Sequence, residues 1–289
     1  MVGAAGANGI ALGLLQMHCA ERCTEMRLGM KGLKDNDKII LSMIQPEPLP
    51  GSYRHRDMSI EEITDLALKE TEMVAENHFD GVILQNMNDM PIRQISRPEA
   101  IAYMTRIGME IRKRFPELIM GILINWDGVA GLSVADAIGA DFVRVEHLFT
   151  GANVTSAGIL QAQCVEIAEL RKRTGSKVPV YADVYEVHGI PLGRKPIGDA
   201  AWECVNEAFA DGLFMSGKTV EESIQMAKEA RMRVGDTPIF LGGGATGENV
   251  HELMQYYDGV SVATWIKNGD MKNPIDPERA KIFIREAKR

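Results

Sequence analysis

Cysteine is scarce in this chain. Four residues in 289, at positions 19, 23, 164 and 204, form no Cys-x-x-Cys pair and no spacing of a disulfide framework. A secreted disulfide scaffold is therefore excluded, and with 17 methionines alongside, the expected compartment is the reducing cytoplasm. Long apolar runs are missing too: no stretch approaches the ~18 residues that cross a bilayer. The apolar, glycine-rich opening, residues 1–15, lacks a basic flank, so no signal peptide is expected there. Nor is positive charge in excess. Forty acids against 32 bases give a formal net charge of -8, which excludes a broad nucleic-acid surface but leaves room for one local anion site. The metal motifs His-Glu-x-x-His, Cys-x-x-Cys and the EF-hand loop do not occur.

What is present, from Lys38 onward, is alternation. Eight short apolar runs lie at residues 39–44, 81–85, 120–125, 142–146, 180–184, 212–216, 239–242 and 259–263. Each has the character of a parallel strand buried on both faces. Helical patterns separate them. Ser59-Ile-Glu-Glu62 and Ser96-Arg-Pro-Glu99 read as capping boxes, the second with proline in the first turn. Ile63, Leu66, Ala67 and Val74 then follow one apolar stripe, and Ile101, Met104, Ile107 and Ile111 another. A second regularity overlies the first. Asp80-Gly-Val82, Ala140-Asp-Phe142, Asp211-Gly-Leu213 and Asp258-Gly-Val260 introduce the even-numbered strands, and Pro116, Pro179 and Pro238 precede three of the odd ones. A (βα)2 unit repeated four times predicts an α/β protein with a single (βα)8 TIM barrel over residues 38–289. Residues 1–37 are expected to form an N-terminal extension packed outside it, with a helix around residues 14–30. An open doubly wound sheet is the competing fold; the count of eight strands favours the barrel. A homo-oligomer is expected of an enzyme of this size.

The active site of such a barrel lies at the C-terminal ends of its strands. The strongest signal there is Ile239-Phe-Leu-Gly-Gly-Gly-Ala-Thr-Gly-Glu-Asn249, a buried strand running into three glycines and a helix expected from about Thr246. Glycine lets the backbone close on a ligand, and a helix N-terminus offers free N–H groups to an anion. Gly242, Gly243, Gly244 and Thr246, with Thr264 and Lys267 after the eighth strand, therefore make a predicted phosphate grip; a plain tight turn is the bland alternative. For proton chemistry the candidate is Asp183-Val-Tyr-Glu-Val-His188. A carboxylate beside an imidazole can orient it and make a general acid/base, although a lone loop histidine is more commonly structural. Glu146 and Asp127 are assigned as assisting carboxylates, and Asn86 and Asn125 as partners of substrate hydroxyls. Arg144, inside a strand, reads as a salt-bridged wall residue. No cofactor is required by this chemistry, but Asp127, Glu146, Asp183, Glu186 and His188 could together hold a divalent metal. Cys164 and Cys204 fall inside predicted helices and are not expected to be nucleophiles. The expected ligand is a small anionic molecule.

These motifs carry a resemblance. Pro48-Leu-Pro-Gly-Ser52, Asp80-Gly-Val-Ile-Leu-Gln-Asn86, Gly139-Ala-Asp-Phe-Val-Arg-Val145 with Thr150-Gly151, Ala182-Asp-Val184 with His188, and the glycine-rich segment before Asn249 follow one another as in the BtpA/SgcQ family. The resemblance runs from about Lys38 to the C-terminus and implies a ribulose-phosphate-binding-like TIM barrel. It implies two different activities. Cyanobacterial members are associated with accumulation of the photosystem I reaction centre, whereas others are described as nucleosidase-like or sugar-metabolism proteins. The chain departs from the family pattern at Asn125-Trp-Asp127, at Val187 before His188 and at Ser216-Gly-Lys-Thr219, all near the expected mouth. The expectation is an enzyme acting on a phosphorylated or anionic sugar-like substrate by acid/base chemistry, as an isomerase, lyase or nucleosidase-like hydrolase. The alternative is a non-catalytic assembly or stability factor such as a photosystem I biogenesis protein. No lysine stands at the inner end of a core strand, which counts against a Schiff-base aldolase. Asp183→Asn is expected to spare folding and abolish turnover.

Overall fold

A computed structural model describes residues 38–146, 151–185 and 189–289. In chain order its elements are β1 (Ile39–Ile44), α1 (Ile60–Glu76), β2 (Gly81–Gln85), α2 (Pro98–Arg114), β3 (Ile119–Leu123), α3 (Gly128–Ile138), β4 (Phe142–Val145), β5 (Ala152–Thr155), β6 (Gly158–Gln161), α4 (Cys164–Thr174), β7 (Val180–Asp183), β8 (Ile190–Leu192), α5 (Ile197–Asn206), β9 (Gly212–Met215), α6 (Val220–Val234), β10 (Ile239–Leu241), α7 (Val250–Leu253), β11 (Gly259–Val262) and α8 (Pro277–Ala287). Short 3-10 turns occur at Met87–Asp89 and Trp265–Lys267. Eight strands close a parallel barrel in the order β1-β11-β10-β9-β7-β4-β3-β2, with Ile39 opposite Gly259 where first and last strands meet. The expected helix at residues 14–30 lies outside the described residues.

The fourfold aspartate pattern has a physical cause. Asp80, Asp141, Asp211 and Asp258 each precede a strand, and each accepts a backbone N–H from the strand before it: Ile40, Met120, Val180 and Ile239, at 2.8–2.9 Å. The backbone N–H of each aspartate in turn donates to the carbonyl of that same residue. A base completes the clasp, from the helix ahead of the pair in three cases, Arg112 on Asp141, Arg171 on Asp211 and Arg231 on Asp258, and from just past the last helix, α8, in the fourth, Lys288 on Asp80. Charge-assisted bonds of this kind fix strand register at the end of the barrel that carries stability, away from the mouth.

Between the clasp and the mouth the interior is filled by Phe142, Tyr181, Phe214 and Phe240, with ring centroids 5.3–6.4 Å apart. Glycines make room for them. A Cβ on Gly121 would stand 2.3 Å from the Phe142 ring, and one on Gly212 would stand 2.3 Å from that of Tyr181.

Two expectations are corrected, and a third feature is new. The Ser59 box forms, with Glu62 N–H donating to Ser59 Oγ and Ser59 N–H to Glu62 Oε2, but the Ser96 box does not. There the helix starts at Pro98 with Arg97 as its uncapped N-terminal residue, and Ser96 N–H donates to Asp127 Oδ2 at 2.6 Å. The helix expected from Thr246 is only the single turn α7, beginning at Val250, because Asn249 Oδ1 accepts the Thr246 N–H and folds the approach into a side-chain turn. Third, β5, β6 and β8 form an antiparallel sheet, order β6-β5-β8, built from chain beyond the ends of β4 and β7. Leu160 on its inner face is buried against Ile92 and Trp126.

Candidate functional site

The C-terminal strand ends surround a cavity of about 700 Å³, a size common for small-molecule sites. Its centre is an ion pair. Asp183, the last residue of β7, is 3% exposed, and Arg144 of β4 grips both its oxygens: Nε to Oδ2 at 2.8 Å and Nη2 to Oδ1 at 2.7 Å. The guanidinium lies 4.3 Å from the Phe214 ring centroid and also donates from Nη2 to the Gly242 carbonyl. The arginine reaches so close that a Cβ on Gly242 would sit 3.0 Å from it. A side chain at Gly242 would press on the ion pair. His188, the expected partner of Asp183, lies outside the described residues, as do Glu186 and His147.

On one side of the pair is the glycine turn. The backbone N–H groups of Gly243, Gly244 and Ala245 have no acceptor among the described residues, and Gly244 holds φ +75°, a region that favours glycine. Thr246, Thr264 and Arg279 stand in the same wall. Arg279, in the first turn of α8, is the cation that sequence reasoning missed. Its Nη1 donates to the Trp265 carbonyl, and its guanidinium lies 4.8 Å from the Trp265 ring centroid. The available signal was Asp276-Pro-Glu-Arg279, a capped helix start following the eighth strand.

Lys267 is not in this wall. The 3-10 turn at Trp265–Lys267 carries Thr264 to the mouth and rotates Lys267 away, where its 1%-exposed side chain donates to both oxygens of Glu70 on α1 at 3.0 and 3.1 Å. Burial pushes the Glu70 carboxyl up, and the lysine partly offsets this. Lys267→Met is expected to lower stability by about 3 kcal/mol, as for other broken buried pairs, while leaving phosphate affinity unchanged. Urea unfolding and calorimetric titration would check the two halves.

Other assigned residues divide. Asp127 caps α3: Oδ1 accepts from Ala130 N–H and Oδ2 from Ser96 N–H, so both oxygens face backbone rather than cavity. Asn86 also turns aside, accepting the Asn125 N–H and donating to Asp89 Oδ2 in a neighbouring cleft. Burial pushes the Asp89 carboxyl up, opposed by the Leu49 N–H that it accepts. Asn125 and the half-buried Glu146 do line the mouth. Asn125 ends an amide chain that sequence reasoning did not connect: Gln45 Nε2 donates to Gln85 Oε1 at 3.0 Å, and Gln85 Nε2 to Asn125 Oδ1 at 2.7 Å. Among the described residues no three histidine, cysteine, aspartate or glutamate side chains converge in a cluster fit to hold a metal ion. No helix among them is long and apolar enough to cross a membrane.

Comparison with known proteins agrees with the barrel fold. A tryptophan synthase alpha chain from Legionella pneumophila shares the fold, with a TM-score of 0.59 at 10% identity over 93% of this chain and 97% of that one. The photosystem I biogenesis protein BtpA of Synechocystis is 29% identical over 85% of this chain and 86% of its own length. An uncharacterised protein of Thermococcus kodakarensis is 32% identical over 87% of this chain and 95% of its own length. The family model described as the BtpA family matches residues 36–289, from just ahead of β1 through the end of α8, and on these grounds the chain belongs to the BtpA family.

Proposed function

We propose that the protein is an enzyme acting on a phosphorylated or otherwise anionic sugar-like molecule by acid/base chemistry in the barrel mouth, as an isomerase, lyase or nucleosidase-like hydrolase. One observation carries the reading: the same cavity holds three backbone N–H groups without an acceptor among the described residues, with Thr246, Thr264 and Arg279, and the carboxylates of Glu146 and Asp183. The amides and Arg279 take the anionic group, as preorganised donors do. Glu146 exchanges the proton with the sugar-like part, a step commonly worth ~10²–10⁴ in rate. Asp183 holds Arg144 in place to meet negative charge that develops on a substrate oxygen. His188, a few residues on in the chain, is the second proton carrier, and Asn125 meets a hydroxyl. The chemistry asks for no cofactor. If it uses a divalent cation, Glu146, Glu186 and His188 are the candidate ligands left, because both oxygens of Asp127 and of Asp183 are already engaged.

The same reading places the protein in the cytoplasm as a homo-oligomer. Val154, Ile159, Ile190 and Leu192 support self-association, since they share the exposed face of the small antiparallel sheet.

The test is calorimetric titration with ribose 5-phosphate. Arg279→Met is expected to weaken binding at least tenfold, whereas Glu146→Gln should bind as the parent does and lose turnover. Parent-like affinity in Arg279→Met would remove the anion site from this wall. The name of the Synechocystis relative favours a second reading, a non-catalytic assembly factor; under it no sugar phosphate would bind and Glu146→Gln would be without consequence.

A further inference from the structure

The cavity is chemically two-sided, and only one side suits a sugar phosphate. Besides the glycine turn and the Arg144–Asp183 pair, the cavity is lined by Met43 on β1, Met87 and Met90 after β2, Met271 after the last 3-10 turn, and Trp126 after β3. Thioethers are polarisable and adapt to flat rings, whereas sugar hydroxyls set against them would lose their hydrogen bonds to water without replacement. Trp126 holds φ +62°, a conformation that a bulky residue adopts only under constraint from its surroundings. It is buried beside Ile92 and Leu160, with Met90 packed against the group.

The amide chain beneath this wall has a direction. Gln45 donates to Gln85, Gln85 to Asn125, and Asn125 Nδ2 to the Met87 sulfur at 3.2 Å. Every NH2 group in the chain is thereby engaged, and one acceptor is left over. Among the described residues Gln45 Oε1 is buried without a hydrogen-bond partner, in a residue only 8% exposed that lines the cavity. A buried carbonyl in that position calls for a hydrogen-bond donor from a ligand, and beside thioethers and an indole a ring N–H or amino group suits it.

We infer that the ligand is a sugar phosphate carrying a nitrogen heterocycle, of the nucleoside monophosphate class. Its ring rests on the methionine and Trp126 wall, a ring N–H or amino group donates to Gln45 Oε1, and its phosphate meets the Gly243–Ala245 amides and Arg279. This deepens the functional reading above and rests on it. A cavity of about 700 Å³ is ample for such a two-part molecule.

The experiment titrates the full chain with inorganic phosphate, ribose 5-phosphate, AMP and CMP. At least one nucleotide is expected to bind tenfold or more tighter than ribose 5-phosphate. Gln45→Met and, independently, Trp126→Ala should each bring that nucleotide back to the affinity of ribose 5-phosphate without altering the latter. Melting curves show whether each variant is folded, and either folded variant suffices. If ribose 5-phosphate binds and both nucleotides bind no tighter, the heterocycle site is overturned while the anion site stands. If none of the four binds, both readings fall. Nucleotide selectivity that survives both substitutions also overturns the proposed ring site.

Discussion

Asp183→Asn is expected to lower folding stability by about 3–5 kcal/mol, the range found when one partner of a buried ion pair is removed. This replaces the expectation, drawn from sequence, that the substitution would spare the fold. That expectation set Asp183 in the mouth beside an imidazole, where an amide could stand in for the acid. In the structure both carboxylate oxygens are held by Arg144, whose guanidinium is packed on Phe214 and only 7% exposed as a residue. Asparagine keeps one acceptor oxygen but withdraws the charge that grips the guanidinium at two points and sets an NH2 group against it. Arg144→Met should be destabilising for the converse reason. The double variant Arg144→Met/Asp183→Leu should regain most of the loss, because two charges leave together and a hydrophobic pair of similar volume replaces them. Urea unfolding of the four proteins gives the coupling energy. A strictly additive cycle would mean that the pair contributes nothing beyond its separate residues.

The barrel was legible because a strand buried on both faces leaves a continuous apolar run, and β1 and β2 have the very bounds their runs predict. Several other runs extended one or two residues too far at the mouth. Asn125, Glu146, Ser216 and Ala263 lie past the last strand residue, at the point where the chain stops pairing and starts to line the cavity. The aspartate repeat was legible as a period, but its cause needs three elements that meet only in the folded barrel: a carboxylate, the N–H of the preceding strand and a base from the end of a neighbouring helix, which for Asp80 is the last of the chain.

Site residues were legible by position and not by direction. Thr264 and Lys267 belong to one short segment, yet a 3-10 turn sends one to the mouth and the other to Glu70, far away in the chain. Ser59 and Ser96 present the same capping signature; at Ser96 tertiary structure prevails, since Asp127 takes its N–H. The small antiparallel sheet left little trace because its strands are three or four residues long and half of those residues are exposed. Arg279 was passed over because its helix start looked like any other, and only the closure of the barrel brings it beside the glycine turn.

Glycine shows most sharply what a sequence alone leaves open, and it carries the second large expected effect. Gly81→Ala should destabilise the barrel by more than about 4 kcal/mol, in the range reserved for a few severe mechanisms. A Cβ at Gly81 would lie 2.1 Å from the Ile119 carbonyl oxygen and 2.6 Å from the Ile119 Cβ. The obstacle is the backbone of the paired strand, which cannot swing aside as a side-chain tip would. Relief requires β2 and β3 to part, and with them the Asp80 clasp on β1. Gly243→Ala should do the opposite. There a Cβ meets only Ser216 Oγ, at 3.6 Å, an ordinary contact, and φ is not in the left-handed region. Stability should change by less than about 1 kcal/mol, with a slight gain from the stiffer unfolded chain. The added methyl would instead stand in the wall where the Gly243 and Gly244 amides face an incoming anion, so ribose 5-phosphate affinity should fall about tenfold, near 1.4 kcal/mol. Melting temperature and titration of the two variants separate the roles. A Gly243→Ala protein that binds as the parent does would leave its turn a plain bend in the chain, and a Gly81→Ala protein that melts with the parent would mean that β2 and β3 can part without loss to the fold.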